Sequence, residues 1–166
     1  MTAHTNQLAG IGKLTTCVSV LEEAVTFLFH RLLQSPDPAS VDLLVRGMSF
    51  NRKLMKLRHI ANHLSTKHKL TGSAVDRVES ALSTAERLLE QRNRYAHASI
   101  RWASDDPAPV LFDVKREELI LQFESNYLQS LASEALATAN ELIHACDEVV
   151  AMLPPQRTSG RNEPIG

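Results

Sequence analysis

Apolar residues follow a helical period along the amino-terminal part of the chain. Their spacing alternates between three and four residues, which keeps one face of a helix apolar. This spacing predicts a helix over residues 6–34, ended by the segment SPDPAS at 35–40, where two prolines remove backbone donors. The predicted buried face of this helix consists of Ile11, Leu14, Val18, Leu21, Val25, Leu28 and Leu32.

Two more helices are predicted between the SPDPAS turn and residue 67. A short one is predicted over residues 40–47, capped by Ser40 and closed by Gly47. Ser49 is the predicted cap of a longer helix, which ends before a loop at 67–73. The buried face of this longer helix is predicted to consist of Phe50, Leu54, Leu57, Ala61 and Leu64.

A third long helix begins at the other side of that loop. Ser73 is its predicted cap, and Asp76 in the first turn favours the positive end of the helix dipole. The spacing continues past the apolar residues to a charged one, Arg92, and then to Ala96. The apolar members of this face are Val75, Val78, Leu82, Ala85 and Leu89.

The helical spacing of apolar residues stops after Ala98 and resumes at about Ser125. The intervening short segments suggest a small hairpin or a third strand. A last helix then carries an apolar face, which consists of Leu128, Leu131, Ala135, Leu142, Cys146, Val149 and Leu153. The sequence therefore predicts an all-α bundle of four to five helices with a small β-hairpin excursion before the last helix. We expect one domain over residues 1–153 and a disordered tail over 154–166, which is polar and contains Gly and Pro.

The composition is that of a soluble globular protein, with 43% hydrophobic and 22% charged residues. No run of 18 apolar residues is present, so no membrane span is expected. The segment MTAHTNQLAG does not resemble a signal peptide. Cys17 and Cys146 lie in apolar-periodic segments, as buried reduced thiols do, and no Cys-x-x-Cys pair offers a zinc site of that kind. These features favour a cytoplasmic protein without a membrane partner.

The net charge of −1 hides a local positive surface. Between Asp42 and Asp76 the chain has no acidic residue but seven Lys and Arg, against 11 basic and 19 acidic residues elsewhere. Such a distribution can attract phosphate polymers, although a solvated basic face is the simpler interpretation. Four of its residues, Arg52, Lys56, His59 and His63, are predicted to share one face of the helix that follows Ser49, which we call the basic strip.

Two histidines of this strip also have a metal-ligand spacing. His59 and His63 are four residues apart, but the metalloprotease pattern needs Glu at the position of Ile60. His68 could be a third ligand, although nothing in the sequence fixes it there. We therefore expect neither a metal nor a cofactor.

The segment RNRYAH, residues 92–97, concentrates polar side chains at the end of the third long helix. Because each helical residue turns about 100°, Arg92 continues the apolar face that contains Leu89, while Asn93 and His97 lie together at its edge. A guanidinium in such a position needs a partner, because burying it unpaired is costly. A carboxylate such as Glu86 or Glu90, a second subunit or a ligand phosphate could fill that role.

This segment resembles the motif of HEPN domains, in which an Arg is followed four to six residues later by His and most often directly by Asn. The segment GMSFNRKLMKLRHI also resembles the upstream helix of some members, and the resemblance extends over residues 8–153. Many members place Gly after the His, whereas Ala98 stands here. The resemblance implies a HEPN-like bundle that forms a homodimer, with the two motifs meeting in a composite site.

The activity implied by the resemblance is metal-independent RNA cleavage in a toxin–antitoxin or phage-defence setting. The implied catalytic residues are Arg92, Asn93 and His97: His97 acts on the ribose 2′-hydroxyl or the leaving oxygen, Arg92 neutralises the scissile phosphate, and Asn93 orients them. We predict RNA contacts from Arg52, Lys53, Lys56, Arg94 and Arg101. A cognate antitoxin or regulatory protein is a further expected partner.

Three alternatives remain open from the sequence. Arg92 and His97 could form a structural ion pair or helix cap, since the helix dipole favours a protonated His at a carboxyl end. The bundle could be a non-catalytic module that binds a partner protein or a nucleotide, or a regulator that binds nucleic acid without cutting it. Trp102 could stack on a base, although packing on the bundle is the simpler interpretation.

Overall fold

Helices dominate the computed structural model, which describes residues 3–35, 37–102, 109–113, 115–119 and 125–154. The helices are α1 (Ala3–Leu33), α2 (Pro38–Val45), α3 (Phe50–His68), α4 (Ser73–Ala96) and α5 (Ser125–Ala151). The strands are β1 (Ser99–Trp102), β2 (Pro109–Asp113) and β3 (Glu118–Leu119). The all-α bundle is therefore confirmed, and so is the β excursion before the last helix. Most of the predicted tail, residues 155–166, lies outside the described residues.

The two longest helices, α1 and α5, form the centre of the bundle and run in the same direction. Gly10 lies against Leu128 near their amino ends. Near their carboxyl ends, the Arg31 guanidinium donates to the Asp147 carboxylate at 2.6 Å. The apolar faces predicted for both helices are buried, except that Ile11 and Leu153 are only partly covered. The buried residues of all the long helices belong to one contiguous core.

Helix α4 runs antiparallel to α5, and arginines bridge the two at the protein surface. Arg77 donates to Glu141 at 2.6 Å. About three turns further along α4, Arg87 is paired with Glu134. The hydrogen bond to Glu141 is the main reason that the pKa of Arg77 is raised. Each exposed ion pair of this kind contributes little to the free energy of unfolding. These pairs therefore indicate the alignment of α4 with α5 more than they stabilise it.

Helix α3 packs beside both α1 and α4 through residues of the positive segment. The Arg58 guanidinium donates to Glu86 at 2.6 Å and to Glu79 at 3.0 Å, both on α4. Its pKa is raised, chiefly by the hydrogen bond to Glu86. The Lys53 ammonium donates to Glu22 of α1 at 2.8 Å. Two of the seven positive charges in that segment are therefore paired with carboxylates of neighbouring helices.

The helix caps differ in part from the predictions. Ser49 caps α3 as predicted, since its hydroxyl accepts from the amide of Arg52. The prediction that Ser40 caps α2 is wrong, because the helix begins at Pro38 and the Asp37 carboxylate accepts from the amide of Ala39. Pro suits the first helical position because its φ is fixed near the helical value.

At α4 the predicted cap is also wrong, because Ser73 is already helical. Gly72 is the cap residue, with φ +124 and no side-chain hydrogen bond. Glycine adopts this backbone conformation readily because it has no Cβ. The tight turn after Leu70 therefore uses glycine where the sequence analysis expected a serine hydroxyl.

A three-stranded antiparallel sheet follows α4 after only His97 and Ala98. In β1 and β2, Ser99 pairs with Phe112, and in β2 and β3, Asp113 pairs with Glu118. Leu111 is buried and belongs to the main core. The sheet thus lies on the bundle with its β2–β3 turn beside the carboxyl end of α4. In the described part of the chain, no helix is long and apolar enough to span a membrane.

Two glycines of α1 provide a matched test of the α1–α5 contact. A Cβ at Gly10 would lie 2.9 Å from Leu128 Cδ1 and 3.1 Å from its Cβ, whereas Gly12 has nothing within 4 Å. Alanine favours a helix interior by about 1 kcal/mol over glycine, but overpacking a core costs about 1–3 kcal/mol. We expect Gly12→Ala to raise the free energy of unfolding by about 0.5–1 kcal/mol and Gly10→Ala to lower it by about 1 kcal/mol. Urea denaturation followed by circular dichroism measures both; equal stabilisation by the two variants would contradict the close contact.

Candidate functional site

The RNRYAH segment forms the last turn of α4, as the sequence predicts. His97 is the carboxyl-terminal cap of the helix, with φ −104 and ψ 3, and its backbone amide donates to the Asn93 carbonyl at 3.1 Å. This hydrogen bond holds the His97 backbone one turn beyond Asn93. The imidazole itself is exposed, so it is accessible to a ligand.

Asn93 and His97 border one pocket of about 670 Å³. Asn51 contributes from the first turn of α3, and the β2–β3 turn closes the opposite side. The predicted grouping of Asn93 with His97 on one edge of the helix is therefore confirmed. The other residues that line the pocket are Glu86, Leu89, Glu90, Arg94, Asp113, Lys115 and Arg116.

Arg92 faces a different direction from the other two motif residues. It continues the buried face of α4, does not line the pocket, and is only partly exposed. Its Nε is buried and has no hydrogen-bond partner. The carboxylates that the sequence suggested as partners are engaged elsewhere, since Glu86 accepts from Arg58 and Glu90 is paired with Arg116. Of the partners that the sequence left open for Arg92, the two carboxylates are therefore already used by other cations.

This lack of a partner distinguishes Arg92 from comparable arginines. Arg58, Arg77 and Arg94 are also partly exposed, and each is paired with a carboxylate. Among the arginines whose side chains are described, Arg92 is the partly buried one for which no ion pair is seen. Burying a donor without an acceptor is destabilising, so an acceptor that reached the Arg92 Nε would be stabilised there.

Asp113 organises the side of the pocket that faces the motif. Its carboxylate is only 6% exposed, accepts from the backbone amides of Lys115 and Arg116 at 3.1 Å each, and lies 3.4 Å from Arg94 Nε. Asp113 was not among the site residues predicted from the sequence. An Asp that opens a polar turn such as DVKRE commonly bonds the amides that follow it, and this was the available signal.

The residues predicted to contact RNA fall into separate classes. Arg52 and Lys56 are exposed, and neither has an ion pair within the described residues. Lys53 differs from the prediction, because its ammonium is paired with Glu22 and its side chain is only 13% exposed. Arg94 is paired with Asp113. Arg101 pairs with Val110 across β1 and β2, but its side chain and that of Trp102 lie outside the described residues.

Tyr95, which lies inside the RNRYAH segment, packs in the core. It is 3% exposed, and burial raises its pKa to about 12. The phenol therefore stays protonated at neutral pH and is unsuited to act as a base. Ala96, which was predicted to continue the buried face, is exposed. In this last turn Tyr95 takes the buried position and lies close to Tyr127 of α5.

The basic strip is confirmed as an exposed face, since all four of its residues are accessible. The zinc set that the sequence left open, His59 and His63 with His68, does not form. Among the residues that the structure describes, no three or more His, Cys, Asp or Glu side chains converge as metal ligands.

No family model matches the chain, and neither a curated protein nor a solved structure matches it. The chemistry of the site is therefore inferred from the side chains that α4 and the β2–β3 turn bring together.

Proposed function

We propose that the protein is a metal-independent endoribonuclease of HEPN type that acts in the cytoplasm, in a toxin–antitoxin or defence setting. The observation that carries the proposal is Arg92, a partly buried guanidinium whose Nε has no partner, one residue from Asn93 and one turn from His97. A scissile phosphate would supply the negative charge that Arg92 lacks. The other partly exposed arginines whose side chains are described, Arg58, Arg77 and Arg94, are each paired with a carboxylate.

The proposed reaction uses the RNA as its own nucleophile. The ribose 2′-oxygen attacks the adjacent phosphorus, its proton passes to a base, and the bond from phosphorus to the 5′-oxygen breaks. A 2′,3′-cyclic phosphate and a 5′-hydroxyl result. Imidazole suits proton transfer because its unperturbed pKa lies near neutrality, so His97 acts as base for the 2′-hydroxyl or acid for the leaving oxygen. Arg92 stabilises charge on the phosphate, and Asn93 orients it.

The directions of Arg92 and His97 support a dimeric site. The two residues are separated by about 140° around the axis of α4, so one chain does not direct both side chains into the same pocket. A second copy that brings its own motif against the first would place an arginine opposite each histidine. We therefore propose a homodimer with a composite site, to which a cognate antitoxin or other regulatory protein binds.

The charges of the pocket favour a second candidate, a non-catalytic HEPN-like module that binds a partner protein or a nucleotide. Three carboxylates line it, Glu86, Glu90 and Asp113, against the three cations of Arg94, Lys115 and Arg116. Such a balanced pocket attracts a polyanion less than a purely basic one does. RNA would then depend on the basic strip, where Arg52 and Lys56 are exposed.

An RNA cleavage assay in EDTA tests the proposed function. We expect the parent protein to cut RNA in the chelator and to leave 2′,3′-cyclic phosphate ends, which are identified by mass spectrometry of the fragments. Affinity for an uncleavable 2′-O-methyl RNA should fall as salt is added, because counterions are released from the phosphates. A folded dimer that binds RNA or a partner but never cuts would favour the non-catalytic module. Cleavage that the chelator abolishes would exclude the metal-independent mechanism.

A further inference from the structure

A second concave surface lies on the bundle, away from the RNRYAH segment. It is a groove of about 550 Å³ where the carboxyl ends of α1 and α3 meet the end of α5. Gln34 closes α1 at its rim, and Pro154 marks its border after α5. Its volume is in the range of small-molecule pockets, roughly 300–1,000 Å³. None of Arg92, Asn93 and His97 lines it.

The permanently charged side chains of this groove are both lysines. Lys56 and Lys67 supply permanent charge, and three imidazoles, those of His59, His63 and His68, add hydrogen-bond donors. Among the described residues that line the groove, none is acidic. This is a clear contrast with the pocket beside His97, where carboxylates neutralise the cations.

The remaining wall of the groove is apolar. Leu32 and Leu33 of α1 face Ile60 and Leu64 of α3, and Leu153 closes the third side. Leu64 and Ile60 are partly buried against the core, so the wall is part of the folded bundle and does not depend on a ligand to form. An apolar wall beside a row of cations fits a molecule that has an apolar body and an anionic head.

We propose that this groove binds a small organic anion, with a phosphate, sulfonate or carboxylate head on Lys56 or Lys67 and an apolar body against Ile60 and Leu64. Lys56 and Lys67 lie on the same side of α3, three turns apart, so a head group at either lysine leaves the ligand body over the apolar wall. The proposal does not rest on the proposed catalytic residues, because none of Arg92, Asn93 and His97 lines the groove. The groove does share Lys56, His59 and His63 with the basic strip.

The test uses 8-anilinonaphthalene-1-sulfonate, an aromatic sulfonate whose fluorescence rises when it is bound, with the full chain. The variant Lys56→Glu with Lys67→Glu reverses two groove charges. The matched control, Arg52→Glu with Lys69→Glu, makes the same charge change on exposed positions of the same helix and its cap, outside the groove. We expect the groove variant to bind the probe about tenfold more weakly and the control to stay within about twofold.

A neutral relative of the probe, N-phenyl-1-naphthylamine, separates charge from apolar contact. We expect its binding to be the same in the parent and in both variants. Equal loss of sulfonate binding in both variants, or none in either, would overturn the proposal, as would failure of the parent to bind the sulfonate. Should the charge reversal disturb the helix content seen by circular dichroism, Lys56→Gln with Lys67→Gln replaces it, with a loss of about threefold expected. Displacement of the probe by decanoate or by phenyl phosphate identifies which head group the groove prefers.

Discussion

Replacement of His97 by alanine is expected to lower the rate of RNA cleavage by about 10²–10⁴-fold, the usual contribution of a general acid or base. The imidazole is exposed at the end of α4, and only its backbone amide contributes to the helix cap. The fold should therefore survive the change, with an unchanged helix content and thermal midpoint. Single-turnover cleavage of a labelled RNA in EDTA measures the chemical step directly.

His144→Ala is the matched control, because His144 is another exposed helical histidine and lies outside both the pocket and the groove. It should cut RNA as the parent does. Cleavage by His97→Ala at the parent rate would contradict the assignment of His97 as acid or base. Equal loss in both variants would point to a general effect of removing histidine charge, not to a site.

Arg92→Met should change activity and stability in opposite directions. Loss of the guanidinium from the phosphate is expected to lower cleavage by about 10²–10³-fold. Methionine fills a similar space without a polar atom, and the buried Nε of Arg92 has no partner. Removing such an atom should raise the free energy of unfolding by about 1 kcal/mol. Urea denaturation and single-turnover cleavage on the same preparation provide the two measurements.

Arg58→Met gives the opposite pattern and serves as the comparison. Arg58 is also partly buried, but its guanidinium donates to Glu79 and Glu86. Its replacement would leave both carboxylates without this cation. This variant should be less stable by about 1 kcal/mol and should keep its cleavage activity. If Arg92→Met were destabilised as Arg58→Met is, the guanidinium would have a structural role, and the alternative of a helix cap or ion pair would gain support.

The sequence predicted those features that depend on periodic spacing. Four long or medium helical segments, their buried faces and the position of RNRYAH at the end of α4 all follow from apolar residues three or four apart. The caps of α2 and α4 were missed for a local reason. In each case a neighbouring Pro38 or Gly72 with a suitable φ determines where the helix begins, and the nearby serine does not.

Charge partners could not be predicted in the same way, because they depend on how distant segments meet. Lys53 is paired with Glu22, 31 positions earlier in the chain, and this contact removes it from the surface on which the sequence placed it. Asp113 reaches the end of α4 only because the sheet returns the chain there. Arg92 was expected on the buried face and does lie there, but its lack of a partner is visible only once Glu86 and Glu90 are placed.

The parallel pairing of α1 with α5 has a consequence for how the protein acquires its fold. Arg31 and Asp147 meet although 116 positions separate them, so the central contact joins α1 to a helix that is synthesised long after it. Helical bundles usually fold fast because their contacts are local, and this contact is not. On the ribosome, the apolar face of α1 stays without its principal partner until α5 has emerged. A nascent chain that already carries RNRYAH would therefore lack the completed scaffold behind that segment, and the uncovered apolar face of α1 would be prone to aggregate until α5 packs on it.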